Sequence, residues 1–128
     1  MPDAAPEPPV QLRIRQANIN SSKSAQDSII NATKYDNYDM ILIQEPWTNS
    51  LDKVPASHKW RVVYPSNYLD NTARLRAVTL VNARLSTNFW HQIDVPDTND
   101  LVAIQLLGPY GTASIINIYI TTRHTPTH

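Results

Sequence analysis

Glu45 stands directly after the apolar run Met40-Ile41-Leu42-Ile43-Gln44 and directly before Pro46-Trp47. A core strand gains by burying Ile41, Leu42 and Ile43, whereas a dry, unpaired carboxylate at its end loses its hydration. A glutamate so placed is either solvated or set against a cation. Pro46 has no N–H for a sheet ladder, so it ends the strand and fixes the direction in which the chain leaves. A second polar strand end lies upstream in Gln16-Ala17-Asn18-Ile19-Asn20. Asparagine alone says little, because its turn chemistry makes it common in loops. Asn18 and Glu45 at one edge, however, form an oxygen-rich pair suited to a hydrated cation or a phosphate. A third candidate is Tyr119, which shares a strand face with Asn117 and Thr121, opposite Ile116, Ile118 and Ile120. It is either a cleft residue or a packed ring with a wet hydroxyl, and the residues alone favour packing.

The elements that must position these side chains follow from periodicity. Leu12 to Asn18 reads as a strand, with Leu12, Ile14, Gln16 and Asn18 on one face and Arg13, Arg15 and Ala17 on the other. A helix is expected from Ser24, with Asp27 completing a capping-box-like start and Ala25, Ile29 and Ala32 forming a narrow apolar stripe. Asn37-Tyr38-Asp39 then turns the chain into the Met40 strand. A strand–helix–strand crossover makes the two strands parallel, so Asn18 and Glu45 share a carboxyl edge, where ligands gather in sheets flanked by helices. Beyond Pro46 the chain reads as loop through Ser57. A short strand Trp60–Tyr64 is ended by Pro65, the segment from Ser66 to Thr72 is polar, and Leu75–Val81 is a further strand. Leu101–Leu107 and Thr112–Ile120 form an antiparallel hairpin through Gly108-Pro109-Tyr110-Gly111.

The order and spacing of Gln16-Ala-Asn-Ile-Asn-x-Ser22, Ile41-Leu-Ile-Gln-Glu-Pro-Trp47, Trp60-Arg-Val-Val-Tyr-Pro65 and Ile116-Asn-Ile-Tyr119 resemble the endonuclease/exonuclease/phosphatase superfamily. The likeness is closest to endonuclease-like domains of fungal non-LTR (LINE-type) retrotransposons and runs from about Leu12 to Ile120. It implies an α/β fold, part of a four-layer DNase I-like sandwich with a mixed sheet flanked by helix, and phosphoester cleavage with Mg²⁺ or Mn²⁺. By position, Glu45 resembles the metal-binding glutamate and Asn18 the asparagine near the metal and scissile phosphate. Tyr119 resembles the tyrosine that contacts the phosphate or attacking water. Neither of the family's later motifs, Asp-x-Asn and Ser-Asp-His, follows Tyr119 in this sequence. The resemblance therefore implies the N-terminal part of such a domain over residues 11–122, catalytically incomplete as given, between a Pro-rich tail (1–10) and a short tail (123–128). The alternative is a non-catalytic relic that at most binds metal or nucleic acid. DNA is the implied partner, inside the cell and, for a retrotransposon protein, in the nucleus.

Composition permits these readings without selecting one. The formal charge is +0 and the pI about 6.9, so no global basic field holds nucleic acid. Lys59 and Arg61, and then Arg74, Arg76 and Arg84, form local basic groups for which a solvated strand face is the plainer expectation. Absence of cysteine excludes disulfides and thiolate metal sites, and His58, His91, His124 and His128 lack the spacing of a zinc site. No apolar run is long enough to span a bilayer. Trp47, Trp60 and Trp90 are expected to pack rather than to stack on bases, since no basic stripe is interleaved with them. Leu101–Leu107 is apolar on both faces. With the partner sheet of the sandwich expected to be largely absent, self-association through an uncovered sheet face is expected.

Overall fold

The computed structural model describes residues 11–68, 74–108 and 111–120; the expected terminal tails, the centre of the Gly108–Gly111 turn and most of the polar segment before Leu75 lie outside the described residues. In chain order the elements are β1 (Ile14–Asn18), α1 (Lys23–Ala32), β2 (Met40–Gln44), β3 (Trp60–Val63), β4 (Ala77–Asn82), β5 (Trp90–Ile93), β6 (Leu101–Gly108) and β7 (Gly111–Ile118). They form a four-stranded sheet ordered β1-β2-β4-β3 and a three-stranded antiparallel sheet ordered β5-β6-β7. β1 and β2 are parallel, as the crossover requires, while β4 runs antiparallel to both β2 and β3.

Three layers result. Alternation along β2 sends Ile41 and Ile43 to one face, where they pack with Val78 and Leu80 of β4 and with Ile29 and Ile30 of α1. Met40 and Leu42 point the other way and meet Ala77 and Val81 together with Val102 and Ile104 of β6. Covered on both sides, β2 and β4 are buried at every position, which explains why they read as continuous apolar runs.

Several expectations are corrected. The helix begins at Lys23, capped by Ser22, whose side chain accepts the Ala25 N–H at 3.2 Å; Ser24 lies inside the first turn. Its buried face is Gln26, Ile29 and Ile30 rather than Ala25, Ile29 and Ala32, because Gln26 packs inward with both ends of its amide bonded. The partner sheet is not missing. β5, β6 and β7 supply it from within the chain, and β5 escaped notice because its inner face carries Trp90 and Gln92 while Ile93 faces outward. What stays uncovered is the outer face of that second sheet, where Leu107, Ile116, Ile118 and Ile120 are 39%, 55%, 46% and 70% exposed. The face of β7 that reads as polar is the one turned into the sandwich: Asn117 is buried, and the isoleucines point out.

The basic residues are also more engaged than a solvated face would make them. Arg84 pairs with Asp36 and with buried Asp39, which also accepts the Arg13 N–H at 2.8 Å. Arg84 and Lys59 both lie over the Tyr35 ring. This cluster closes the amino end of β2, away from Glu45. Trp60 packs as expected, buried and edge-on to Tyr35.

Candidate metal and phosphate site

Asn18 pairs with Gln44 across β1 and β2, so Asn18 and Glu45 emerge side by side at the carboxyl edge. Beyond Asn18 the chain turns sharply. Asn20 and Ser21 adopt left-handed conformations (φ 52° and 59°), and the Asn18 side-chain oxygen accepts the Asn20 N–H at 2.9 Å. Ile19 N–H donates to the Gln44 carbonyl at 3.1 Å and Ser21 N–H to the Glu45 carbonyl at 2.8 Å, which binds the turn to the end of β2. Asn18 thus commits one lone pair of its oxygen locally and leaves its NH₂ facing outward as a donor.

Glu45 is itself left-handed, φ 50°, a conformation that costs a non-glycine residue about 1–3 kcal/mol and persists only where its surroundings enforce it. Three contacts do so. Its N–H donates to the Arg76 carbonyl at 2.8 Å, its carbonyl holds Ser21, and Pro46 beyond it is buried. The fourth restraint comes from α1. The side chain of fully buried Gln26 accepts the Trp47 N–H and donates to the Trp47 carbonyl, both at 2.9 Å, clamping the backbone two residues past Glu45. The Glu45 carboxylate, half-buried, has no side-chain partner among the described residues.

Behind this edge lies a buried amide junction. Gln44 Nε2 donates to Asn117 Oδ1 at 2.5 Å, and Asn117 Nδ2 is shared among the Val78 carbonyl (2.8 Å), the Ile43 carbonyl (3.2 Å) and Thr79 Oγ1 (3.2 Å). Gln44 is one residue from Glu45 and Asn117 two residues from Tyr119. This junction between the sheets therefore lies directly behind both candidates. Tyr119 lies just past β7, half-buried, with its N–H on the Asp100 carbonyl at 2.8 Å. Its ring is covered by the Arg76 guanidinium at 5.0 Å. Arg76 in turn donates its N–H to the Asn99 carbonyl, and Arg74 hydrogen-bonds the Ser21 hydroxyl.

Asn18, Glu45 and Tyr119 are therefore linked through one edge by Ser21 and Arg76. In the sequence Arg76 stood out only as one of a local basic group and Asn117 only as a residue sharing the strand face of Tyr119, and nothing singled out Gln26. For Arg76 a signal existed: it immediately precedes β4, and a strand antiparallel to β2 must start at the edge where β2 ends. One carboxylate without a side-chain partner among the described residues, beside neutral amides, suits a hard cation that keeps most of its own water, as Mg²⁺ does. No group of three His, Cys, Asp or Glu side chains converges among the described residues, so any ion here would draw the rest of its shell from water or phosphate.

The layers, topology and placement of this edge make the chain an α/β sandwich of the DNase I-like kind, with a mixed sheet flanked by a helix. Among solved structures it is similar to the endonuclease domain of TRAS1, a telomere-specific non-LTR retrotransposon, at 18% identity and a TM-score of 0.63. The match covers 87% of this chain and 45% of that one, so the chain spans less than half the length of the neighbour. No family model matches the sequence. No curated protein sequence matches it either. No helix among the described residues is long and apolar enough to cross a membrane.

Proposed function

We propose that residues 11–122 form the N-terminal part of a metal-dependent phosphodiesterase domain, in its most specific form a DNA endonuclease of the non-LTR retrotransposon type within the endonuclease/exonuclease/phosphatase superfamily. The observation that carries this is Glu45: a carboxylate with no side-chain partner among the described residues, held in a costly left-handed conformation at the carboxyl edge of a core strand, beside Asn18 and the Arg76–Tyr119 pair. Glu45 is the contact for Mg²⁺ or Mn²⁺, with Asn18 secondary. The Asn18 oxygen gives one lone pair to Asn20 and keeps a second for the cation, while its NH₂ can donate to a phosphate oxygen. Tyr119 presents its hydroxyl to the phosphate or the attacking water, and Arg76 orients the ring from above. A divalent cation, when bound, would supply Lewis-acid polarisation of a phosphoryl oxygen.

Isothermal calorimetry or NMR titration with Mg²⁺ and Mn²⁺ tests the assignment. Weak binding that disappears in Glu45→Gln is expected, and a metal response indifferent to that substitution would sink it. No group of three His, Cys, Asp or Glu side chains converges among the described residues, in keeping with a reading of the chain as catalytically incomplete. General acid–base help is worth roughly 10²–10⁴-fold. Rigorously purified chain should accordingly nick plasmid DNA no faster than a Glu45→Ala control, and metal-dependent nicking that this variant abolishes would show that another residue supplies the base.

A further inference from the structure

β3 and β2 both pair antiparallel with β4, so they run parallel to each other and β3 leaves its sheet at the edge that carries Glu45. They are two strand spacings apart, roughly 10 Å at about 4.8 Å per strand. There, between the outer strands of the two sheets, lies a cavity of about 520 Å³, whose lining includes Val62, Tyr64, Tyr68, Trp90, Gln92 and Lys53. This is an ordinary size for a small-ligand site. Residues 60–65 drew attention in the sequence, but the proposed metal chemistry makes no use of them.

The lining has a definite chemistry. Tyr64 and Tyr68 stack with centroids 5.2 Å apart and planes 6° from parallel. Their hydroxyls are committed: Tyr64 accepts the Val54 N–H at 2.9 Å, and Tyr68 donates to the Asp52 carbonyl at 2.5 Å. The rings are thereby fixed in place. Trp90 gives its indole N–H to the Leu85 carbonyl, which leaves ring surface to line the cavity. Lys53 Nζ sits 5.0 Å and 5.9 Å from the two tyrosine ring centres, with no carboxylate in ion-pair range among the described residues. Gln92 donates Nε2 to the Tyr64 carbonyl at 2.6 Å, and its Oε1 has no partner among the described residues. A matching ligand has an aromatic face, an N–H to give the amide oxygen and an anionic group for the ammonium. An aliphatic acid would leave the amide oxygen unmet, and a plain phosphate would leave the aromatic surface bare.

We propose that this cavity is a nucleotide subsite, taking a nucleobase against its aromatic wall with Gln92 Oε1 on the base edge and Lys53 on a phosphate. Base–aromatic stacking beside a basic residue is the usual means of holding unpaired nucleic acid. Its service as the position neighbouring a scissile phosphate rests on the phosphodiesterase reading; nucleotide binding itself does not.

The test is fluorescence anisotropy of the full chain with a labelled single-stranded octathymidylate in EDTA, so that no metal takes part. Wild-type chain binds, while Lys53→Met and Gln92→Leu each weaken binding about fivefold or more. Lys53→Met also reduces the slope of log affinity against log salt by about 0.7, the loss of one single-strand phosphate contact. Lys53 is exposed, so its variant keeps the fold even if Gln92→Leu disturbs Tyr64. Competition by thymidine monophosphate at comparable concentration identifies a free nucleotide as the ligand, and resistance to it identifies a strand; either supports the subsite. Loss with either variant supports it too. Absence of binding, or wild-type affinity in both variants, overturns it. The subsite is read in EDTA and the metal assignment by Mg²⁺ titration without nucleic acid, so the two fail separately.

Discussion

Replacing Asn117 with leucine removes the one side chain that, among the described residues, hydrogen-bonds β7 directly to β2 and β4, at a position only 1% exposed. The largest cost falls on Gln44. Its Nε2 is buried and bonded to Asn117 Oδ1, so the substitution strands it without an acceptor. A buried donor left unmade costs about 1–3 kcal/mol. The Ile43 and Val78 carbonyls each have a second lone pair, and Thr79 can rotate its hydroxyl, so their losses are smaller. Leucine recovers some apolar burial, and the net expectation is about 2–3 kcal/mol of destabilisation. For a domain of this size each kcal/mol moves Tm by about 4–8 °C, so a fall on the order of 10–20 °C should follow. The double variant Gln44→Leu/Asn117→Leu removes both partners and should return to within about 1 kcal/mol of wild type. Urea unfolding of wild type, both single variants and the double variant measures the cycle. An Asn117→Leu cost below about 0.5 kcal/mol, or a double variant as unstable as the sum of the singles, refutes the assignment of this amide pair as the junction of the sheets.

Ser22→Ala should destabilise the chain by about 1 kcal/mol in thermal melts, whereas Ser24→Ala should stay within about 0.5 kcal/mol; the reverse order would return the cap to Ser24. Burial raises the pKa of Tyr64 and Tyr68 above the ordinary 10.0, with Asp52 adding to the shift at Tyr68. The folded chain then holds these protons more tightly than the unfolded one, so the contribution of these two groups to stability is constant below about pH 10 and declines as pH rises through the folded values. Absorbance titration near 295 nm should show a late-ionising group that Tyr64→Phe removes, and an unchanged late phase would contradict this. Ile116→Thr/Ile118→Thr should lower hydrophobic-dye binding and self-association in light scattering. If the wild-type chain is already a dye-silent monomer, its outer sheet face is not an adhesive surface.

The β1–α1–β2 unit was legible because its signals are local: an apolar run, a proline stop and a crossover that dictates parallel strands. The position of Asn18 beside the end of β2 followed from that alone. The helix start was misplaced by two residues because Ser22 and Ser24 offer the same cap, and only the left-handed turn at Asn20 and Ser21 selects the first. β5 was invisible because Gln92 points inward and Ile93 outward, inverting the usual alternation. Nothing in the sequence marked Gln26 or Asn117 as buried, because their partners are 21 and 73 positions away. A buried amide is recognisable only once its partner is known. The same distance hid the alignment of Arg76 over Tyr119.

The order of elements along the chain has a consequence for synthesis on the ribosome. All four strands of the first sheet lie before residue 83 and all three of the second lie after residue 89, so the sheets emerge one after the other rather than interleaved. At roughly 5–20 residues per second, the first sheet and its helix have several seconds to form before β7 is complete. Throughout that interval Gln44 Nε2 lacks its Asn117 acceptor, and the inner face of the first sheet stays hydrated. Asn117, close to the end of β7, is among the last groups to arrive, and its docking closes the junction. Stalled nascent chains ending before residue 111 should therefore leave the first sheet's inner face open to proteolysis or hydrogen exchange, and chains carried past residue 120 should protect it in a single step.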